Sequence, residues 1–132
     1  MATVNVLIVV DVESALSFGL QGNVYMVDTN KNIGPSLNEG QVELYTVLGE
    51  GDTVIWSVAP IDPGTNVSIC GFTGAATNGN ISPVLGVNGT WSSMFDATTP
   101  YTSGNQYQYS VTLQYEGTTG PQQSFDPFLQ CR

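Results

Sequence analysis

Oxygen-bearing side chains occupy alternate positions directly after the apolar run V-Y-M-V at residues 24–27. They belong to Asp28, Asn30 and Asn32. Alternating oxygens are how a calcium loop presents its first ligands, but the glycine and the later glutamate of an EF-hand loop are missing here. Asp and Asn side chains also bond the backbone of tight turns, and this second interpretation is preferred. The segment is therefore a weak candidate for a calcium site, and we expect no cofactor.

Neutral sugars are the ligands that best suit the polar and aromatic residues of the chain. In sugar sites an aromatic ring stacks on the C–H face of the sugar, while Asp, Asn and backbone groups bond its hydroxyls. Trp91, beside Gly89 and two serines, is a better stacking candidate than Trp56, although a buried core position is the preferred interpretation of each tryptophan. We predict a site for neutral glycans such as galactosides, with the candidate residues Asp28, Asn30, Trp91, Asp96 and Asn105.

Catalysis is disfavoured by the residues that the chain lacks. It has no histidine, one lysine (Lys31) and no G-x-S-x-G sequence, so the commonest general base and the usual setting of a serine nucleophile are missing. The acids available for a glycosidase-like carboxylate pair are Asp11, Asp28, Asp96 and Asp126. Any acidic chain offers such pairs, and we therefore expect no enzymatic activity.

The charge balance excludes nucleic acids and anionic membrane surfaces as partners. Of the 132 residues, 11 are acidic and 2 are basic, and the net charge of −9 repels phosphate. No apolar run approaches the length of a membrane span. The N-terminal segment has no basic leader and no small-residue cleavage site, so we expect a cytoplasmic protein without a classical signal peptide.

The elements that must position these residues are short β-strands. Apolar and polar residues alternate in segments of strand length, and Gly, Pro and Asn separate the segments. Residues 4–10 are apolar except for Asn5 and predict a strand buried on both faces. Residues 53–60 are expected to pair with the preceding strand at 41–48 across the turn G-E-G-D. Asp11 is suited to cap one helical turn.

The whole pattern predicts one all-β domain over residues 1–132. Its class is an antiparallel β-sandwich of jelly-roll or Greek-key type, with at most one short helical turn. The remaining predicted strands cover residues 23–29, 66–74, 81–85, 90–97, 106–116 and 124–131. Cys70 and Cys131 form no C-x-x-C motif, so we expect buried or inert thiols, with a single bridge between them as the alternative.

The strand at residues 106–116 separates its side chains cleanly. Tyr, Val and Leu lie on one face, and Gln, Ser and Thr form a polar stripe on the other. This stripe faces solvent or a partner, and copies of the chain packed through it would form a homo-oligomer. A self-associating storage protein is therefore the alternative to sugar binding.

Six segments carry a resemblance to a known family. They are N-V-L-I-V-V-D-V-E-S-A-L (residues 5–16), V-Y-M-V-D-T-N-K (24–31), V-I-W-S-V-A-P-I-D-P (54–63), V-S-I-C-G-F-T-G (67–74), Y-Q-Y-S-V-T-L (107–113) and F-D-P-F-L (125–129). In this order they resemble the bacterial PixA/AidA inclusion body proteins. The resemblance implies a small cytoplasmic protein that accumulates in inclusions, linked to stationary-phase or quorum-controlled life with a host, and it carries over no catalytic residues. With only three methionines, the chain does not fit a sulfur-storage role.

Overall fold

Ten β-strands and one α-helix form the part of the chain that the structure describes. The structure is a computed structural model, and the described residues are 3–29, 44–74, 83–94, 106–115 and 120–131. In chain order the elements are β1 (Thr3–Val10), α1 (Val12–Phe18), β2 (Val24–Asp28), β3 (Tyr45–Leu48), β4 (Thr53–Pro60), β5 (Val67–Gly74), β6 (Val84–Leu85), a 3₁₀ turn (Val87–Gly89), β7 (Trp91–Met94), β8 (Gln106–Tyr115), β9 (Gln122–Phe125) and β10 (Phe128–Cys131).

The strands form two sheets whose inner faces share one hydrophobic core. The first sheet has the order β2-β1-β4-β7-β6, and the second has the order β3-β10-β8-β5, with β9 also paired to β8. Both sheets contribute to one cluster of buried residues. The predicted all-β sandwich is confirmed. The pairing is not purely antiparallel, however, because β1 runs parallel to β4 and β3 runs parallel to β10.

The predicted hairpin between residues 41–48 and 53–60 is wrong. β3 lies in the second sheet and β4 in the first, so the intervening turn carries the chain from one sheet to the other. The buried Asp52 carboxylate accepts a hydrogen bond of 2.7 Å from the Gly49 backbone N–H, and Gly51 has φ of 86°. Because the Asp52 side chain bonds to the Gly49 N–H, the backbone can pass from one sheet to the other here without leaving this buried N–H unpaired.

One face of β1 is buried, not both as its sequence predicts. Val4, Val6, Ile8 and Val10 point into the core, whereas Leu7 remains exposed. A fully apolar strand is expected where both sides are covered. On the outer face of β1, Leu7 is 37% exposed and Val9 is half-buried, so this face is only partly covered.

The short helix begins where the sequence predicts. The Asp11 side chain accepts a hydrogen bond from the Ser14 backbone N–H at 3.2 Å, which satisfies one of the unpaired N–H groups of the first turn. The helix continues for seven residues, longer than the single turn predicted, and ends at Gly19 with φ of 91°. Within the described residues, no helix is long and apolar enough to span a membrane.

Proline divides the last predicted strand into two. Phe125 closes β9 and Phe128 opens β10, with Pro127 between them, and both strands pair antiparallel with different parts of β8. Proline has no N–H to give to a ladder, so a break at this position follows from its chemistry. Of the strand predicted at residues 81–85, the described part is β6.

Candidate functional site

Asp28 and Trp91 lie in one row across the first sheet, with two strands between them. Asp28 pairs with Val6, Val6 with Trp56, and Trp56 with Trp91. Three strand spacings of about 4.8 Å therefore separate the two candidates, about 14 Å in all. The core residues Val6 and Trp56 fill the gap between them. The structure does not bring Asp28 and Trp91 together at one sugar subsite.

Asp28 links the edges of the two sheets. It is half-buried at the end of β2, on the same inner face as Val24 and Met26, because alternate side chains share one face of a strand. Its carboxylate accepts a hydrogen bond of 2.9 Å from the hydroxyl of Thr46, which is fully buried on β3. The contact joins β2 of the first sheet to β3 of the second, so this carboxylate has a structural partner.

We expect the contact between Asp28 and Thr46 to stabilise the fold. Replacement of Asp28 by alanine should lower the free energy of unfolding by about 1–3 kcal/mol, because the buried Thr46 hydroxyl loses its acceptor. A double-mutant cycle of Asp28→Ala and Thr46→Val, followed by urea unfolding, measures the coupling, expected near 1 kcal/mol. Glu50→Ala, which removes an exposed carboxylate, is the control. Zero coupling would contradict the structural role.

Trp91 is half-buried and makes contacts inside the protein. Its Nε1–H donates to the carbonyl oxygen of Ile69 at 3.1 Å. Its ring meets Phe72 edge to face, with the centroids 5.3 Å apart. One edge of the indole is therefore committed to the packing of the first sheet on β5, and only the rest of the side chain is open to a ligand.

Trp56 is a core residue, in agreement with the preferred interpretation of its sequence position. It is fully buried, and its Nε1–H donates to the Tyr109 hydroxyl oxygen at 3.0 Å. Its ring centroid lies 4.9 Å from that of Phe72 and 5.7 Å from that of Tyr109. These residues connect the first sheet to the second through the centre of the sandwich.

Several predicted site residues lie outside the described residues. They are Asn30, Asn32, Asp96 and Asn105, together with Lys31. The sugar site and the calcium loop therefore stay predictions in those positions. Among the residues that the structure does describe, no group of three or more Cys, Asp or Glu side chains could hold a metal ion.

The described aspartates bond to groups of the fold itself. Asp11 caps α1 and Asp52 closes the turn between the sheets. Asp62 accepts a hydrogen bond of 2.9 Å from the Gly64 backbone N–H, and Asp126 accepts one from the Ser110 hydroxyl. Asp28 pairs with Val6 on β1, and Asp11 follows Val6 by five positions, which corresponds to about 16 Å along an extended strand. That distance exceeds the carboxylate separation of a glycosidase.

The polar stripe of β8 forms a ladder with its neighbours. Its side-chain contacts are Gln106 to Gln130 at 2.6 Å, Ser110 to Asp126, Thr112 to Ser124 at 2.9 Å, and Gln122 to Gln114 at 2.6 Å. Gln114 is only 6% exposed. These polar groups find partners within the chain, so the stripe is less available to a second copy than its sequence indicates.

Gln123 connects β9 to the helix, a contact that the sequence did not reveal. Its Nε2 donates to the carbonyl oxygen of Ala15 at 3.0 Å, and its Oε1 accepts from the Tyr115 hydroxyl at 2.9 Å. Burial raises the pKa of Tyr115 to about 12. The partners are distant along the chain, and no local pattern could have signalled them.

Cys70 is an exposed, free cysteine at the irregularity in β5. The prediction of a buried thiol is therefore wrong for Cys70, and the bridge to Cys131 is not formed. Its Sγ–H donates to the Thr112 carbonyl oxygen at 3.4 Å, and partial desolvation raises the pKa of the thiol. Side chains alternate between the faces of a strand, so Cys70 points away from its buried neighbour Ile69, which accounts for its exposure.

The outer face of the first sheet is the feature that the sequence analysis missed. Large hydrophobic side chains of β1, β2, β6 and β7 are exposed there: Leu7, Tyr25, Val27, Val84 and Met94. The alternation of β2 is visible in the sequence and signals an apolar outer face. In β1 the apolar run from Val6 to Val10 hides the same signal.

The sheet order and the shared core define a two-sheet β-sandwich with the fold of an inclusion body protein. The crystal structure of inclusion body protein PixA from Burkholderia cenocepacia J2315 is similar, with a TM-score of 0.66 and 14% identity over 99% of this chain and 96% of that chain. The resemblance to PixA is therefore confirmed at the level of the fold. A family model matches residues 2–121, and the chain belongs to that family, described as a domain of unknown function, DUF8788. A comparison with curated proteins found no match.

Proposed function

We propose that this protein is non-enzymatic and acts by associating with further copies of itself, as a storage or inclusion-forming protein. The observation that carries the proposal is the exposure of ten large hydrophobic side chains in the described part of a chain of this size. They are Leu7, Leu16, Phe18, Tyr25, Val27, Ile61, Val84, Leu85, Val87 and Met94. Where such side chains form a contiguous patch, as Leu7, Tyr25 and Val27 do on paired strands, the surface is typical of sites that bind other proteins.

The hydrogen bonds of the aspartates support a non-enzymatic role. A reaction needs polar groups that converge on a substrate, whereas Asp11, Asp28, Asp52, Asp62 and Asp126 each bond to a backbone or hydroxyl group of the fold. The crystal structure of similar fold is that of a protein named for inclusion bodies. We infer by analogy that this protein accumulates in the cytoplasm, in inclusions.

Binding of neutral glycans such as galactosides is the second candidate function. The observation that favours it is that Trp91 keeps part of its surface exposed on β7. An aromatic ring that is partly open can stack on one face of a sugar. The separation of Trp91 from Asp28 weakens this candidate, because hydroxyl recognition would depend on other residues.

Light scattering and a glycan array separate the two functions. For a self-associating protein we expect the mean mass to rise with protein concentration and not to respond to galactosides. For a lectin we expect a homogeneous species of fixed mass, a melting point that rises with sugar, and a signal on the array with or without calcium. A monomer of constant mass at all concentrations would contradict the proposal.

A further inference from the structure

We propose that the outer face of the first sheet is the surface on which a second copy of this chain docks, sheet against sheet about a two-fold axis. This inference rests on the proposed function and names its interface. The face is formed by the outward side chains Thr3, Asn5, Leu7, Val9, Tyr25, Val27, Thr53, Ile55, Ser57, Ala59, Val84, Ser92 and Met94.

The cross-strand pairing makes the apolar side chains of this face contiguous. Leu7 pairs with Val27, and Val9 pairs with Tyr25. On the other side of β1, Val9 pairs with Ala59. Side chains directly opposite each other on one face of a sheet are in contact. The central strands β1 and β4 therefore join the edge strand β2 in one apolar surface.

The absence of charge among the described side chains of this face favours a second copy as the occupant. None of the outward side chains of this face that the structure describes is charged, in a chain with a net charge of −9. A basic partner would be drawn to the acidic residues elsewhere on the molecule. Two copies of an acidic chain repel each other over most of their surfaces, and this neutral face is where they can approach at the smallest electrostatic cost.

The area of the face approaches what a dimer needs. The five strands hold 27 residues, with eight each in β1 and β4 and two to five in the others, so at about 3.3 Å rise and about 4.8 Å spacing they give a flat footprint of roughly 430 Å². The relief of the side chains raises the accessible surface toward the roughly 800 Å² that each partner buries in a stable complex. Two such sheets pack about 10 Å apart, and identical faces meet in an isologous contact.

The polar ladder on the outer face of the second sheet is the weaker alternative. Its glutamines, serines and threonines bond to one another within the chain, so a docking partner would have to break or bypass those hydrogen bonds. The apolar face carries no such cost, because the removal of apolar surface from water is favourable.

Sedimentation velocity on the full chain tests the interface. Leu7→Glu and Val27→Glu each place a carboxylate on the apolar face, where the two-fold axis sets it against its own copy or buries it unpaired. We expect the dimer dissociation constant to increase by at least about tenfold in both variants, because like charges in an interface repel. Ser68→Glu adds the same charge on the exposed outer side of β5 in the second sheet, and should leave association unchanged.

A second measurement covers the case in which a charged variant fails to fold. Ser57 lies on β4, the middle strand of the first sheet, with its side chain outward. In a background in which Cys70 and Cys131 are both replaced by serine, Ser57→Cys should be cross-linked between copies by a short bismaleimide, and the background chain alone should not. Melting curves establish that each variant is folded.

The outcomes are distinct. In one outcome the wild type associates, Leu7→Glu and Val27→Glu do not weaken the association, and position 57 gives no cross-link. That outcome would overturn this interface and leave the proposed function standing. A wild type that stays monomeric would overturn both. Binding of monomeric wild type to neutral phosphatidylcholine vesicles, lost in Leu7→Glu, would replace the second copy with a lipid surface.

Discussion

Replacement of Trp56 by alanine should lower the free energy of unfolding by about 3–5 kcal/mol. Trp56 is fully buried, and its ring packs against Phe72 and Tyr109 at the centre of the sandwich. Removing it opens a cavity that the surrounding strands can fill only in part. It also leaves the buried Tyr109 hydroxyl without the donor that it has in the folded protein.

Urea unfolding monitored by circular dichroism measures this loss, and Trp91→Ala is the matched control. Trp91 is only half-buried, so the same change of residue should cost clearly less stability. Phenylalanine in place of Trp56 should restore most of the packing but not the hydrogen bond. An equal cost for the two alanine variants would contradict the central position of Trp56.

High pH should destabilise the fold through two buried tyrosines. Desolvation raises the pKa of Tyr115 to about 12, and it raises the pKa of Tyr109 further, against the opposing effect of the hydrogen bond from Trp56. The folded state therefore favours the neutral phenol. This stabilisation is fully present below the unfolded pKa of about 10 and is lost as the pH rises through the folded values.

We expect the free energy of unfolding to decrease from about pH 10 upwards, because a tyrosine ionises near this pH in the unfolded state but stays neutral while it is buried. Chemical unfolding at a series of alkaline pH values measures it, with phenolate absorbance followed in parallel. Tyr115→Phe should flatten this dependence, whereas Tyr25→Phe, at an exposed position, should not. Phenolate formation at about pH 10 in the folded protein, before any unfolding, would contradict the burial of these hydroxyls.

Local patterns in the sequence predicted the strands well but not their partners. The alternation in β8 and the cap at Asp11 depend on neighbouring residues, and both are confirmed. The hairpin between β3 and β4 is wrong because the G-E-G-D turn suits a hairpin and a crossing between sheets equally well. Which strands lie side by side depends on packing between distant segments, and that information is not in a short window.

The sheet order, which a short stretch of sequence does not reveal, also separates the candidate site residues. The residue types Asp28 and Trp91 suited a sugar site, but the sheet order places Val6 and Trp56 between them. The apolar run of β1 predicts burial on both faces, because strands rich in apolar residues are usually covered on both sides. Its outer face is instead partly exposed, and it belongs to the surface of the proposed interface.

The pairing of β3 with β10 also determines when the fold can be completed. Tyr45 of β3 lies beside Phe128 of β10, 83 positions later in the chain, and β10 in turn separates β3 from β8. Contacts between such distant segments slow folding, because a long loop must close before they form. Until β10 arrives, the edges of β3 and β8 present unpaired backbone groups that other newly made chains can engage. Folding and association therefore compete in time, and the rate of synthesis becomes one of the variables that set how much of this protein enters an aggregate.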